Sequence, residues 1–373
     1  MKAAIVTGIV TPYTHRGFEA LGRRLDGALH VFACSDREPG RHWQLAPATA
    51  YRRRTLAGLR LHRSYVSHLY LNPGIVPALI GSGFDVIAIC DFSPTMMMAA
   101  ATGFAAGIPV VIQTDAQPET DPGQWSRPHR LARRMIVPRC AFGIGASRGS
   151  LEVLERYGLS PGRGVLAPLA PGWDFAGAPP AFEARPFDLM FCGHLDEDRK
   201  GALFFVDVVR GCIARGFTPS VRVTGDGPLR GEVEARLRAA GVEPRFDGYL
   251  PQEGLSAAYA SAKLFLFPSR GDPWGLVANE ALQCGTPVIV SPHARAGTEL
   301  VAPFEAGSVV ELSVPLWVDT VLSYLADRPR WQAAQRGAAA ASRSFSVEAM
   351  VAGVHDAFRR ATEPRARLVQ ERG

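Results

Sequence analysis

Leu264-Phe-Leu-Phe-Pro268-Ser-Arg-Gly-Asp272-Pro-Trp-Gly275-Leu-Val-Ala-Asn-Glu280-Ala-Leu-Gln-Cys-Gly285-Thr-Pro287-Val-Ile-Val290 reads as strand, turn, helix, turn and strand. Its four opening apolar residues suit a buried strand, and Pro-Ser-Arg-Gly-Asp is turn chemistry that stops it. Helix-forming residues follow over 277–284, and Gly285-Thr-Pro287 ends them as a terminal glycine and a later proline do. The β-branched run at 288–290 is a second strand. Two strands joined through a helix lie parallel, so this stretch predicts a βαβ unit in a layered α/β fold.

The alternation extends in both directions. Strands are expected at 188–192, 220–224 and 308–311, with helices at 202–215, 229–240, 254–260, 298–301 and 315–327. The first half repeats the pattern, with strands at 3–7, 30–33, 86–90, 110–113 and 142–145. Its helices are expected at 14–25, 73–81, 94–106, 128–137 and 149–157. Residues 48–63 are basic and irregular and receive no element. Residues 161–186, rich in Gly, Pro and Ala, read as a linker. Domains are expected at 1–180 and 181–345, with 346–373 a helix and tail packing back on the first. Doubly wound sheets bind ligands beyond the carboxyl ends of their strands, where strand order reverses.

At 373 residues the chain exceeds one ordinary hydrophobic core. Its 47% hydrophobic and 20% charged residues exclude a disordered or fibrous protein. Cys34, Cys90, Cys140, Cys192, Cys212 and Cys284 show no CxxC and no metal spacing, so they read as reduced packing residues in the cytoplasm. Residues 1–10 are followed by no secretory cleavage site, and the apolar stretch 96–112 is broken by Gly103, Gly107 and Pro109. Charge is uneven: residues 1–186 hold 20 Lys and Arg against 13 Asp and Glu, and the remainder 21 against 22. The excess gathers at Arg52, Arg53, Arg54, Arg60 and Arg63 and at Arg127, Arg130, Arg133, Arg134 and Arg139. It suits an anionic acceptor or membrane surface, and equally a solvated arginine-rich face.

In the opening run, Asp272 lies in the loop before the helix and Glu280 inside it. Backbone N–H groups around Gly275, Leu276 and Val277 stand unpaired at the helix start, a ready site for a diphosphate. A carboxylate at 280 can accept both hydroxyls of a ribose, and one at 272 those of a hexose. Singly, each acid reads as well as a helix-terminal or surface charge.

As a set, the residues resemble the signature of the family-4 retaining glycosyltransferases of GT-B fold, the group 1 glycosyl transferases. Two acids stand seven residues apart, across Pro273 to Asn279, and Glu280-Ala281 and Gly285-Thr-Pro-Val-Ile289 continue the match. The family more often has Glu where this chain has Asp272. Gly193-His194-Leu195 followed by Arg199-Lys200-Gly201 is similar to the family's Gly-Arg-Leu and Lys-Gly. That implies Lys200 on the donor diphosphate, with His194 in place of the usual Arg and Arg199 as a substitute. Gly225-Asp226-Gly227-Pro228 resembles the family's next turn, and Gly248-Tyr249-Leu250 the segment that meets the base. Asp115 stands where the family has His or Asp near the acceptor, and equally reads as a strand-end turn residue.

The resemblance therefore implies an α/β protein of GT-B fold, two Rossmann-like doubly wound domains facing across a cleft. Its donor-binding set is Gly193, His194, Arg199, Lys200, Gly225, Asp226, Tyr249, Leu250, Asp272, Trp274, Gly275, Leu276, Val277 and Glu280. Asp272, Lys200 and Asp115 are the catalytic candidates. The implied activity is hexosyl transfer, with retention, from a UDP- or GDP-linked sugar to an acceptor hydroxyl in polysaccharide or glycolipid synthesis. The partners implied are the nucleotide-sugar donor, a hydroxyl acceptor of lipid-linked type, and an anionic membrane face, with no nucleic acid. The location implied is cytoplasmic, at the inner membrane face. No metal or cofactor is expected: Asp196-Glu-Asp198 contains an Asp-x-Asp, but it precedes a helix start. Two rivals share these motifs, a nucleotide-sugar epimerase of GT-B type and a non-catalytic nucleotide-sugar binder.

Overall fold

The computed structural model describes residues 1–36, 45–64, 67–175 and 177–370. By compactness the chain divides into Met1–Gly172 together with Ser346–Gly373, and Trp173–Phe345. The first unit runs β1 (Ala3–Thr7), α1 (Pro12–Arg24), β2 (Leu29–Ala33), β3 (Arg52–Thr55), β4 (Leu59–Ser64), β5 (Ser67–Leu71), α2 (Ile75–Leu79), β6 (Val86–Ile89) and α3 (Pro94–Ala105). It continues with β7 (Val110–Thr114), α4 (Arg127–Ile136), β8 (Phe142–Gly145), α5 (Arg148–Arg156) and β9 (Gly164–Leu166). Seven strands form one parallel sheet in the order β3-β2-β1-β6-β7-β8-β9, and β4 and β5 pair as an antiparallel hairpin.

The second unit contains β10 (Phe187–Cys192), α6 (Ala202–Ala214), β11 (Val221–Thr224), α7 (Arg230–Ala239), β12 (Arg245–Gly248), α8 (Gln252–Ala260), β13 (Ala262–Phe267) and α9 (Leu276–Gln283). β14 (Val288–Val290), β15 (Gly307–Val309), α10 (Val314–Ala326) and α11 (Arg328–Ser344) complete it. Its six parallel strands run β12-β11-β10-β13-β14-β15. Both sheets are thus doubly wound. Strand order reverses between β1 and β6 in one and between β10 and β13 in the other.

The strands are buried runs because helices cover both faces. In the second sheet Leu189, Phe191, Leu264 and Leu266 pack one face with Trp317, while Met190, Phe265 and Phe267 pack the other with Tyr259. The first unit recruits the end of the chain, α12 (Val347–Gln370). Met350, Val351, Val354, Phe358 and Ala361 recur at helical spacing and join Phe18 and Leu21 of α1 in one core. The two helices meet closely at Gly17, where an added Cβ would fall 2.1 Å from the Met350 methyl.

Several elements lie where the sequence predicts none. β3 and the first strand of the β4–β5 hairpin occupy the basic stretch 48–63: β3 is an edge strand held by pairing with β2, so its arginines show no apolar alternation. β9 adds a three-residue edge inside the expected linker. The end of that linker is also packed: the buried Arg185 guanidinium donates to the carbonyls of Ala262 (2.8 Å) and Gly285 (3.0 Å) and to Thr286 Oγ1 (2.7 Å). Among the described residues no helix is long and apolar enough to cross a membrane.

Candidate functional site

The second unit brings its candidates together at the switch point between β10 and β13. The loop after β10 turns at Gly193 (φ 149°), and the loop after β11 turns at Gly225 (φ 122°). An added Cβ on Gly225 would lie 1.9 Å from the Gly193 carbonyl oxygen, so only glycine lets the loops touch. Backbone bonds lock them: Gly193 N to Thr224 O (3.0 Å), Leu195 N to Asp226 O (2.9 Å) and Gly225 N to Gly248 O (2.8 Å).

Lys200 stands just before α6. Its backbone N–H donates to Asp196 Oδ1 (2.8 Å), and its ammonium lies 2.6 Å from Asp272 Oδ2 and over the Phe267 ring. Glu197 Oε2 accepts from Leu203 N (2.7 Å), and the same carboxylate pairs with Arg270. Asp196 and Glu197 of the Asp-x-Asp stretch therefore organise the start of α6.

Asp272 is fixed from both sides. Its Oδ1 accepts from Trp274 N (3.2 Å), and its own N–H donates to His293 O (3.2 Å). Gly275, left-handed at φ 96°, then opens α9 without any side-chain cap. The amides of Leu276 and Val277 are thus set at a bare helix start, where an anion is favoured. One turn on, Glu280 accepts from the buried Tyr259 hydroxyl (3.0 Å). Burial pushes the Glu280 carboxyl up to about 7, against the opposing pull of the Tyr259 bond and the Lys200 charge.

Lys200, Asp272, Gly193 and Gly225 on adjoining loops and Glu280 in the first turns of α9 make one locus. The Trp274 ring is buried and stacked on Phe345 at 5.4 Å, and its backbone N–H serves Asp272. Leu250 is half-buried against the core. His194, Arg199 and Asp226 are exposed, as is Tyr249 (74%), and none of the four has a described side-chain contact with Lys200, Asp272 or Glu280. Tyr259 was not foreseen, because a tyrosine among alanines in α8 has no motif around it; only its hydrogen bond reveals the role.

In the first unit a cavity of about 350 Å³ opens at the switch point between β1 and β6. Thr7, Thr11, Tyr13, Gln113 and Asp115 line it, and α12 supplies Met350, Val351 and Val354. Asp91, also unforeseen, lines it from the end of β6. It accepts Ser93 N on Oδ1 (2.7 Å), and burial raises its carboxyl above the ordinary range, although the Ser93 bonds and Arg133 oppose the shift. A strand-end acid at a sheet reversal was the sequence signal available for it.

Residues 186–327 match the profile of the family described as glycosyl transferases group 1. A D-inositol 3-phosphate glycosyltransferase of Xylanimonas cellulosilytica is 34% identical over 137 residues, 36% of this chain and 33% of that protein. A GDP-mannose-dependent alpha-(1-6)-phosphatidylinositol dimannoside mannosyltransferase of Mycobacterium tuberculosis is 32% identical over 114 residues, 30% of this chain and 29% of its own. The chain thus spans about a third of the length of these relatives. The structure of HepE from Anabaena in complex with UDP superposes with a TM-score of 0.73 at 17% identity, covering 95% of this chain and 99% of that one. The fold is GT-B, and residues 186–327 are similar to the group 1 glycosyl transferases.

Proposed function

We propose that the protein is a retaining glycosyltransferase that moves a hexose from a nucleoside diphosphate sugar to an acceptor hydroxyl. The observation that carries this reading is the Lys200–Asp272–Glu280 arrangement beside the uncapped start of α9. The amides of Leu276 and Val277 and the Lys200 ammonium receive the diphosphate. Glu280 accepts the ribose hydroxyls and Asp272 those of the transferred sugar. As the sugar–phosphate bond breaks, charge grows on the leaving diphosphate, where fixed donors contribute most to rate. The acceptor oxygen attacks from the same face and gives its proton to the departing phosphate, so no protein base is required.

The acceptor is carried on a glycolipid or growing polysaccharide at an anionic inner membrane face. Support comes from α4, whose buried side holds Ala132, Arg133 and Ile136. Its outer side exposes Leu131 (60%) and Met135 (46%) among Arg127 and Arg134, with Trp125 (71%) just ahead. Apolar residues flanked by arginines suit shallow insertion among anionic headgroups. The buried Arg133–Asp121 pair at 2.9 Å anchors the helix in that orientation.

Thermal melting with UDP, GDP and dTDP separates this reading from its failure. One diphosphate at saturating concentration raises Tm through preferential binding to the native state, and Lys200→Ala abolishes the shift. No shift with any of the three, or an undiminished shift in the variant, refutes the donor site.

A further inference from the structure

Both switch points carry two acids, but only the second has a lysine among its described residues, and that contrast carries an inference about the acceptor. In the second unit a lysine and bare helix amides await an anion. The cavity in the first unit is lined by Asp91 and Asp115, and no Lys, Arg or His is among its described lining residues. The start of α1 at its wall is self-satisfied: Pro12 lacks an N–H, Thr11 Oγ1 accepts from Thr14 N, and Thr14 Oγ1 accepts from Thr11 N (2.8 Å). The start of α5 is capped by Ser147, whose Oγ accepts from Ser150 N (3.0 Å). Where α3 begins, Asp91 already occupies Ser93 N. Among the described lining residues a phosphate placed here would meet two carboxylates and no cation, a like-charge contact. A ring bearing only hydroxyls meets carboxylate, threonine and glutamine acceptors on one side and the apolar side chains of α12 on the other.

Resting on the glycosyltransferase reading, we infer that this cavity takes an uncharged polyol, a hexose or cyclitol ring, as the acceptor moiety and discriminates against its phosphorylated forms. Asp91 and Asp115 are the specificity residues, accepting hydrogen bonds from neighbouring hydroxyls.

The test is saturation-transfer NMR of the full chain in the presence of UDP, with myo-inositol and methyl glucoside against inositol 3-phosphate and glucose 6-phosphate. The neutral rings bind about tenfold or more tightly than the phosphates, the effect of one charged contact. Asp115→Asn, at an exposed position, and Asp91→Asn with Asp115→Asn weaken the neutral rings and narrow that ratio, with melting curves confirming the fold. Phosphates binding as tightly as the neutral rings, or a ratio unmoved by the variants, overturns the inference. UDP signals in the same samples separate the failures: UDP bound without ring selectivity sinks the acceptor inference alone, whereas no UDP binding sinks the donor reading beneath it.

Discussion

The Lys200 ammonium lies 2.6 Å from Asp272 Oδ2, and both side chains are largely withdrawn from solvent. This contact joins the loops on either side of the β10/β13 reversal, so each residue holds the other. On the proposed reading, a donor diphosphate would compete with Asp272 for Lys200 and free that carboxylate to accept sugar hydroxyls.

Replacing Lys200 with alanine removes the cation proposed to meet the leaving group and strands the Asp272 charge. Turnover should fall by about 10²–10³, the usual effect of losing one preorganised donor. Stability should fall by about 1–3 kcal/mol, since an acceptor loses its partner. Asp272→Asn keeps the fold and raises donor KM. Steady-state kinetics and melting of both variants check this; wild-type turnover in Lys200→Ala defeats the assignment.

Glu280 makes stability depend on pH. Its folded-state value of about 7 lies above the ordinary 4.5, so between these values the native state holds a proton that the unfolded state has released. The contribution is fully present below pH 4.5 and is lost as pH rises to about 7, amounting to at most about 3 kcal/mol. Relative to Glu280→Gln, the wild type should therefore lose melting temperature across this window and run parallel above it. A constant difference between the two proteins from pH 4.5 to 8 would contradict that burial. Donor affinity should run the other way and strengthen above pH 7, where the ionised carboxylate accepts the ribose hydroxyls more strongly.

Gly225 is a steric test of the site's floor. Alanine there places Cβ 1.9 Å from the Gly193 carbonyl at a φ of 122°, so the two loops must separate. Gly225→Ala should lose a few kcal/mol of stability, in the range of strained backbone positions, and should lose nucleotide binding even at temperatures where it is folded. Calorimetric titration with UDP or GDP on the folded variant decides it; unchanged affinity would mean that the loop contact does not shape the site.

The βαβ alternation was legible because buried parallel strands are short apolar runs between turn residues, as at 264–267 and 288–290. The pairing of Lys200 with Asp272 was not, since 72 residues separate them and only the adjacency of β10 and β13 joins their loops. Asp91 and Tyr259 escaped because burial and a hydrogen bond, rather than spacing, define them. The stacking of the Trp274 ring on Phe345 was likewise hidden, because 71 residues of sequence separate the two. The arginines of β3 concealed a strand whose stability comes from backbone pairing at a sheet edge.

The outer side of α4 provides the last test, because its apolar and basic components are separable. Leu131→Glu with Met135→Glu alters side chains that are 60% and 46% exposed, so the fold should be unaffected, within about 0.5 kcal/mol. Binding to vesicles containing anionic lipid should drop by about tenfold or more in co-sedimentation, as two apolar insertions become repulsive charges. Arg127→Gln with Arg134→Gln should also weaken binding, but its deficit should shrink in high salt, where the wild type loses the same electrostatic attraction. Salt should not narrow the Leu131/Met135 deficit in the same way, because that variant also lacks the inserted apolar groups. If the glutamate variant still sediments with anionic vesicles as the wild type does, α4 is not the membrane contact. The exposed Leu59 and Leu61 of the β4–β5 hairpin, which flank Arg60, then become the surface to mutate.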